Sequence, residues 1–163
     1  MAPMTSPVSI VRSIPMNCDA IVPLLRRQLE TLEEASEHGT VVLAAWIPGG
    51  GRVAVPVRLH VRYLAPKTPR FGLTITARTR PALYPRFRGD LDLAEASTAA
   101  TKVTLSGEYE VPLGILGRAI DATAARGIAP RALADLLDRL IADVVADVGH
   151  TSDAADRAGR RSE

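Results

Sequence analysis

The last third of the chain restricts its fold more than any other part. Residues Thr101–Val111 alternate apolar and polar side chains, which predicts a strand with one buried face, and a proline follows. Beyond two glycines, apolar residues recur at three- and four-residue steps, which predicts a long C-terminal amphipathic helix. Gly127 and Pro130 interrupt this pattern, so we expect two helical segments, 114–126 and 129–148. A chain that ends in this way after antiparallel strands usually wraps its sheet around the helix and can enclose a pocket.

Earlier in the chain, the spacing of apolar residues predicts a strand, a helix and further strands. The helix, Ala20–Ser36, carries its apolar residues on one face and has Asn17 or Asp19 as its candidate N-cap. Pro56 lies in the most regular of the strands and has no N–H, so we expect it at an edge or a bulge. The predicted strands are Val8–Ile14, Thr40–Ile47, Arg52–Leu64, Phe71–Thr79 and Arg86–Ala94.

Length and composition predict one domain with a substantial core, since 47% of the 163 residues are hydrophobic. We expect a flexible lead over 1–7, a single domain over 8–148 and a disordered polar tail over 149–163. No segment is apolar enough to span a bilayer, no secretory signal is recognisable, and a lone cysteine excludes an internal disulfide. These features predict a cytoplasmic protein. Arginine outnumbers lysine 18 to 2, a bias typical of GC-rich bacterial genes.

The order of strand, helix, five strands and long helix over residues 7–148 resembles the helix-grip fold of the START and Bet v 1-like (SRPBCC) superfamily, which includes bacterial polyketide cyclases. Local similarity lies in Gly107–Gly117, where a tyrosine on the last strand precedes a Pro-x-Gly break, and in Asp121 early in the helix. The resemblance implies an α+β fold whose curved antiparallel sheet encloses a cavity against the last helix. Members bind lipids, polyketides or similar molecules; some are enzymes, and some dock onto large partners.

The resemblance, together with inner faces made of aliphatic and aromatic residues, predicts that an apolar or amphipathic small molecule binds between sheet and helix. Tyr109 could orient a ligand carbonyl through its hydroxyl, or it could be an ordinary buried tyrosine. Trp46 could form a wall of the pocket or pack in the core. The candidate ligand-binding residues are Trp46, Tyr63, Ile75, Phe87, Tyr109, Ile120 and Leu137.

The alternative from the enzyme class is a cyclase or dehydratase that acts on a polyketide-like substrate. Such an enzyme needs groups in the cavity that donate and accept protons, and the predicted inner faces offer few. We therefore favour a binding protein and assign no catalytic residue. The three histidines have no ligand spacing, so neither a metal nor another cofactor is expected. Cys18 lies beside a helix N-terminus, which favours a thiolate, but no histidine lies near it in sequence.

Basic residues concentrate in the middle of the chain, where no acidic residue occurs between Glu37 and Asp90. Several arginines fall on the outward phase of neighbouring strands, and a basic face of this kind could bind an anionic macromolecule such as RNA or a membrane surface. The alternative, which we expect, is an ordinary charged face that acidic residues on adjoining strands partly neutralise. The arginines of the candidate face are Arg58, Arg62, Arg78 and Arg88.

Overall fold

The described part of the protein folds into one antiparallel sheet and two helices. The computed structural model describes residues 4–47, 51–65, 68–81, 84–111 and 122–159, and describes side chains at 5–44, 51–64, 68–81, 84–110 and 130–150. Within these residues the elements are β1 (Met4–Ile14), α1 (Cys18–Glu37), β2 (Val42–Ile47), β3 (Gly51–Ala65), β4 (Arg70–Ala77), β5 (Arg86–Ser97), β6 (Ala100–Val111) and α2 (Ala122–Gly159).

The six strands form one curled sheet in the order β1-β6-β5-β4-β3-β2, and every neighbouring pair is antiparallel. The helix α2 packs on β1, β6 and β2, so it contacts both edge strands of the sheet, while α1 packs on β3, β5 and β6. Both helices bury apolar side chains against the same face, including Ile21, Leu25 and Leu29 of α1. The predicted α+β architecture, a curved antiparallel sheet around a long C-terminal helix, is confirmed.

Several elements are longer than the sequence predicts, and two of them, β1 and α2, extend into segments expected to lack regular structure. The strand β1 begins at Met4, inside the segment expected to be a flexible lead, because Met4–Pro7 continue the pairing with β6. The helix α2 runs without a break to Gly159, whereas we expected an interruption at Pro130 and a disordered tail after Val148. Proline costs a helix interior about 3 kcal/mol. This cost is offset by the burial of apolar side chains on α2, each of which contributes about 1.5–3 kcal/mol to stability. These side chains are Leu133, Leu137, Leu140 and Val144. Residues 114–121 of the expected first segment lie outside the described residues.

The position of Pro56 differs from expectation, because β3 lies between β2 and β4 and is not an edge strand. The carbonyl oxygen of Pro56 accepts a hydrogen bond of 2.9 Å from the N–H of Arg78, one residue beyond the end of β4. Pro56 is thus opposite Arg78, at the end of the β3–β4 ladder. The backbone N–H that proline lacks would have donated a hydrogen bond only at this last pair. An interior strand tolerates proline there, because the loss is confined to the end of one ladder.

The helix α1 completes the edge of β3 where β2 has not yet begun. The hydroxyl oxygen of Ser36 accepts a hydrogen bond of 2.9 Å from the N–H of Leu59, and a carboxylate oxygen of Glu33 accepts one of 3.0 Å from the N–H of Val61. At the other end of α1, the side-chain oxygen of Asn17 accepts from the N–H of Ala20 at 2.8 Å, which confirms the predicted N-cap. The helix thus takes the place of a neighbouring strand for two backbone donors of β3.

Replacing Ser36 with alanine is expected to lower the free energy of unfolding by about 1–3 kcal/mol, because the buried N–H of Leu59 loses its acceptor. Ser36 is 0% exposed, so water cannot replace the hydroxyl without opening the helix–sheet contact. Urea unfolding of Ser36→Ala and of Ser9→Ala, which alters an exposed serine of β1, measures the difference. Equal unfolding midpoints for the two variants would show that the hydroxyl contributes nothing.

Candidate ligand-binding cavity

A cavity lies between the inner face of the sheet and the N-terminal half of α2, with a volume of about 70 Å³. Five strands, the segment before β5, and α2 contribute to its walls. The lining residues are Leu43 and Ala44 of β2, Val55 and Val57 of β3, Ile75 and Ala77 of β4, Tyr84, Pro85 and Phe87, Tyr109 of β6, and Ala132 and Leu133 of α2.

Small side chains at facing positions help to leave this space open. Ala44, Ala77 and Ala132 line the cavity on β2, β4 and α2, where larger aliphatic residues would fill it. Elsewhere in the core, leucines such as Leu91 on β5 and Leu105 on β6 are almost fully buried. The inward phase of the strands therefore provides both a packed region and an unfilled region under the same helix.

The chemistry of the cavity is that of an apolar site with two hydroxyl groups. Tyr84 and Tyr109 supply the hydroxyls, and Tyr109 is only 2% exposed. Among the described side chains of the lining there is no carboxylate, imidazole, amine, guanidinium or thiol. The cavity can therefore bury hydrocarbon, and its two tyrosines are the residues of the described lining that carry a polar side-chain group, as in apolar binding sites.

The structure brings three of the seven predicted ligand-binding residues together in this cavity, namely Ile75, Phe87 and Tyr109. Phe87 and Tyr109 are directly opposite each other on β5 and β6. Leu137 is also buried, at 2% exposure, but it lies one helical turn beyond the cavity-lining Leu133 and belongs to the packed core. The backbone of Trp46 pairs with Arg52, while the side chain of Trp46 and all of Ile120 lie outside the described residues.

Tyr63 does not reach the cavity. It is 42% exposed, its ring centroid lies 5.2 Å from that of Phe71, and the guanidinium of Arg26 lies 5.6 Å from the centroid of the Tyr63 ring. The register of β3 against β4 shifts between Tyr63 and Ala65, at the far end of the strand from the cavity. The alternation of apolar and polar residues predicts Tyr63 on the inner face of β3, with the buried residues of that strand. It does not reveal the irregularity at the end of the strand.

Sequence reasoning missed several cavity residues, including Ala44, Tyr84 and Ala132. Alanine carries little pattern information, and its role here is to leave space. Tyr84 stands next to Pro85 in a segment interpreted as a break between strands, so periodicity gave it no inward phase. The proximity of an aromatic residue to the start of β5 is the one signal that could have identified it.

On the outer face of the sheet, Arg58, Arg62 and Arg88 are exposed as predicted, but acidic residues share the same surface. Arg88 is directly opposite Glu108 on β6, and the next outward pair is Arg86 with Glu110. Cross-strand partners of opposite charge attract each other and weaken the local field. This register agrees with a mixed charged face rather than with a uniformly basic one.

Arg78 lies apart from this face. Its Nη1 donates hydrogen bonds of 2.6 Å to the carbonyl oxygens of Ser36 and Glu37 at the end of α1. A cation at this position satisfies carbonyls that have no partner within the helix and interacts favourably with the negative end of the helix dipole. Arg78 thus stabilises the C-terminus of α1, a role that alternation along β4 could not indicate.

Other ionisable groups have structural surroundings. Arg12 of β1 donates two hydrogen bonds, of 2.7 and 3.2 Å, to the carboxylate of Asp138 on α2, and this contact holds the pKa of Asp138 below its usual range. Burial, with the charges of Asp19 and Glu95, raises the pKa of the Cys18 thiol, which opposes the thiolate that the helix N-terminus was expected to favour. Within the described residues, no group of three or more histidine, cysteine, aspartate or glutamate side chains could hold a metal ion. None of the described helices is both long and apolar enough to cross a membrane.

Solved structures of other proteins share this architecture at low sequence identity. Ara h 8.0201 has a TM-score of 0.54 at 8% identity, covering 89% of this chain and 98% of its own. TTHA0849 from Thermus thermophilus has a TM-score of 0.53 at 18% identity, covering 87% of this chain and 99% of its own. Norcoclaurine synthase from Thalictrum flavum has a TM-score of 0.51 at 11% identity, covering 88% of each chain.

No protein-family model matches the sequence. No curated protein matches it significantly either. The fold is therefore established by structure alone, through the order of the elements, the curled sheet and the long helix that contacts both of its edges. The chain has a helix-grip fold, a curled antiparallel sheet around a long C-terminal helix, that is similar to the folds of these solved structures.

Proposed function

We propose that the protein binds an apolar or amphipathic small molecule in the cavity between the sheet and α2. The observation that carries this proposal is the composition of the cavity wall, in which ten of the twelve described lining residues are aliphatic side chains, proline or phenylalanine and the other two are tyrosines. An apolar ligand gains free energy there because it leaves water, at about 25 cal/mol per Å² of buried apolar surface. Tyr84 and Tyr109 would orient a polar group of the ligand.

The volume of the cavity favours a small ligand or a small part of a larger one. One water molecule requires roughly 10–15 Å³ of cavity volume. The described cavity, at about 70 Å³, exceeds this about fivefold and suits a group of the size of one ring. A lipid or a polyketide would place one such group in this cavity and extend beyond it.

The enzyme alternative has less support from the described residues. Norcoclaurine synthase, which shares the fold, is by its name an enzyme. A cyclase or dehydratase reaction needs a proton donor and a proton acceptor placed against the substrate. The described lining provides no carboxylate, imidazole, amine or thiol for such work.

A ring-sized probe tests the proposal. The fluorine NMR signals of fluorobenzene and 4-fluorophenol are expected to shift and broaden when the protein is added. Ala132→Phe places a phenyl group in the cavity and should weaken the binding of both probes at least tenfold. Ala146→Phe adds the same side chain to an exposed position of α2 and serves as the matched control.

Tyr84→Phe refines the test, because it removes one hydroxyl and keeps the ring. The variant is expected to weaken the binding of 4-fluorophenol by about three- to tenfold, which is the effect of one hydrogen bond of about 1 kcal/mol. The affinity for fluorobenzene should be unchanged. Binding of both probes by Ala132→Phe with the affinity of Ala146→Phe would contradict the proposed site.

A further inference from the structure

The outer edge of β2 has no neighbouring strand in the part of the chain that the structure describes. This strand ends the sheet order, and β3 is its one strand partner among the described residues. The N–H of Val57 donates to the carbonyl oxygen of Val41 at 3.0 Å, so the backbone of Val41 faces β3. Because bonding directions alternate along an antiparallel strand, the N–H and C=O groups of Val42 and Ala44 face away from β3. In the part of the chain that the structure describes, neither of these N–H groups donates a hydrogen bond.

A trough separates this free edge from α2. One section, of about 980 Å³, is lined on one side by the β2–β3 hairpin, including Val42, Ala44 and Val53, and on the other side by α2, including Asp135 and Arg139. A second section, of about 280 Å³, continues it between the start of β2 and the next turn of α2, and α1 borders it with Gln28, Leu32 and Ala35. The two sections share Val42 and Arg139, so we define the trough as both together.

The dimensions of the trough match an extended peptide. Ala44 lines the section that contains Asp135, and Thr40 lines the section that contains Asp143, so β2 runs alongside α2 in the opposite direction. Four residues of a strand span about 13 Å. The eight residue-to-residue steps from Asp135 to Asp143 span about 12 Å of helix. Four residues of a strand added to β2 would therefore cover nearly the same length as the segment of α2 that lines the trough.

The charges on the α2 wall alternate in sign. Asp135, Arg139 and Asp143 follow one another at four-residue steps, which places them on one helix face about 6 Å apart. All three side chains are exposed, and the two aspartates form no ion pair within the described part of the chain. Alternate side chains of a strand are about 6.6 Å apart and point to the same side. A strand with charges of opposite sign at three alternate positions could thus face all three residues.

We propose that the trough binds an extended segment of a partner protein, which pairs with β2 as a seventh strand and presents a cation, an anion and a cation to Asp135, Arg139 and Asp143. Backbone hydrogen bonds to Val42 and Ala44 supply affinity, and the charge pattern selects the segment. Asp138 takes no part in this selection, since Arg12 already occupies its carboxylate. The trough adjoins the apolar cavity, since Leu43 and Ala44 line both, but the proposed pairing uses the backbone groups of Val42 and Ala44 at the free edge.

Two sets of immobilised heptapeptides test the charge pattern. One set carries Lys-x-Glu-x-Lys and the other Glu-x-Lys-x-Glu, with valine, threonine or isoleucine at x. The protein is expected to bind members of the first set and none of the second. The triple variant Asp135→Lys, Arg139→Glu, Asp143→Lys should reverse this preference. Failure of both sets to bind, or a preference that survives the charge reversal, would overturn the proposal.

Val42→Pro tests the strand pairing. Proline removes an N–H that faces the free edge and leaves the bonds to β3 intact, so the variant should fold. We expect the variant to bind the best Lys-x-Glu-x-Lys peptide at least tenfold more weakly than the wild type does. Its affinity for fluorobenzene should equal that of the wild type, which distinguishes peptide binding from binding in the cavity. Unchanged peptide affinity would exclude pairing along β2. A dimer that forms through β2 and blocks the peptides would overturn the proposal by showing that the edge serves a second copy of this chain instead.

Discussion

Replacing Gly107 with alanine is expected to destabilise the protein by about 4 kcal/mol or more, enough to unfold many single domains. Gly107 and Gly89 are directly opposite each other on β6 and β5. A Cβ at Gly107 would overlap the carbonyl oxygen of Arg88 and lie 2.5 Å from Cα of Gly89. Backbone atoms cannot swing aside as a flexible side chain does, so the two strands would have to separate where the sheet curls.

Urea unfolding of three glycine variants measures this effect. In Gly72→Ala the new Cβ would lie 3.0 Å from Cδ1 of the exposed Leu64, which can move, so a smaller loss is expected. In Gly149→Ala, on α2, nothing lies within 4 Å, and alanine should stabilise the helix by up to about 1 kcal/mol. If Gly107→Ala unfolds within about 1 kcal/mol of the wild type, the close approach of β5 and β6 is not required for the curled sheet.

Replacing Leu137 with alanine is expected to lower the free energy of unfolding by about 2–5 kcal/mol, because the side chain is 2% exposed and leaves a void between helix and sheet. Val145→Ala alters the same helix at a position that is 43% exposed and should change stability by less than about 1 kcal/mol. Thermal or urea unfolding compares the two.

The same pair of variants separates the core from the cavity. Leu137 does not line the cavity, so Leu137→Ala should leave the dissociation constant of fluorobenzene within about twofold of the wild-type value while it lowers stability. A tenfold change in that dissociation constant, with little loss of stability, would place Leu137 in the binding site instead.

The alternation of residues predicted the buried face of the sheet well where strands are regular. Leu73, Ile75 and Ala77 of β4 are buried as their phase requires, and Phe87 and Tyr109 on neighbouring strands are too. The spacing of leucines likewise predicted the buried stripe of α2. In these elements one face contacts the core along its whole length, so a period of 2 or 3.6 residues carries the structural information.

Periodicity failed where a local feature decides the position of a side chain. A register shift at the end of β3 leaves Tyr63 exposed, and the carbonyls at the end of α1 draw Arg78 away from the outer face of the sheet. The cavity depends on small residues such as Ala132, whose contribution is the volume that they leave empty. The periodicity of a segment indicates which face a side chain lies on. It does not indicate how deeply the side chain is buried, which residues it contacts or how much space is left between them.

Intermolecular NOEs test most directly whether the cavity between the sheet and α2 holds an apolar ligand. With 4-fluorophenol bound to methyl-labelled protein, the account predicts NOEs from the ring protons to methyl groups of Val57, Ile75 and Leu133, three aliphatic residues that line the cavity on different elements. NOEs confined to exposed methyl groups such as those of Val42 and Val53, or the absence of any NOE under saturating probe, would contradict it.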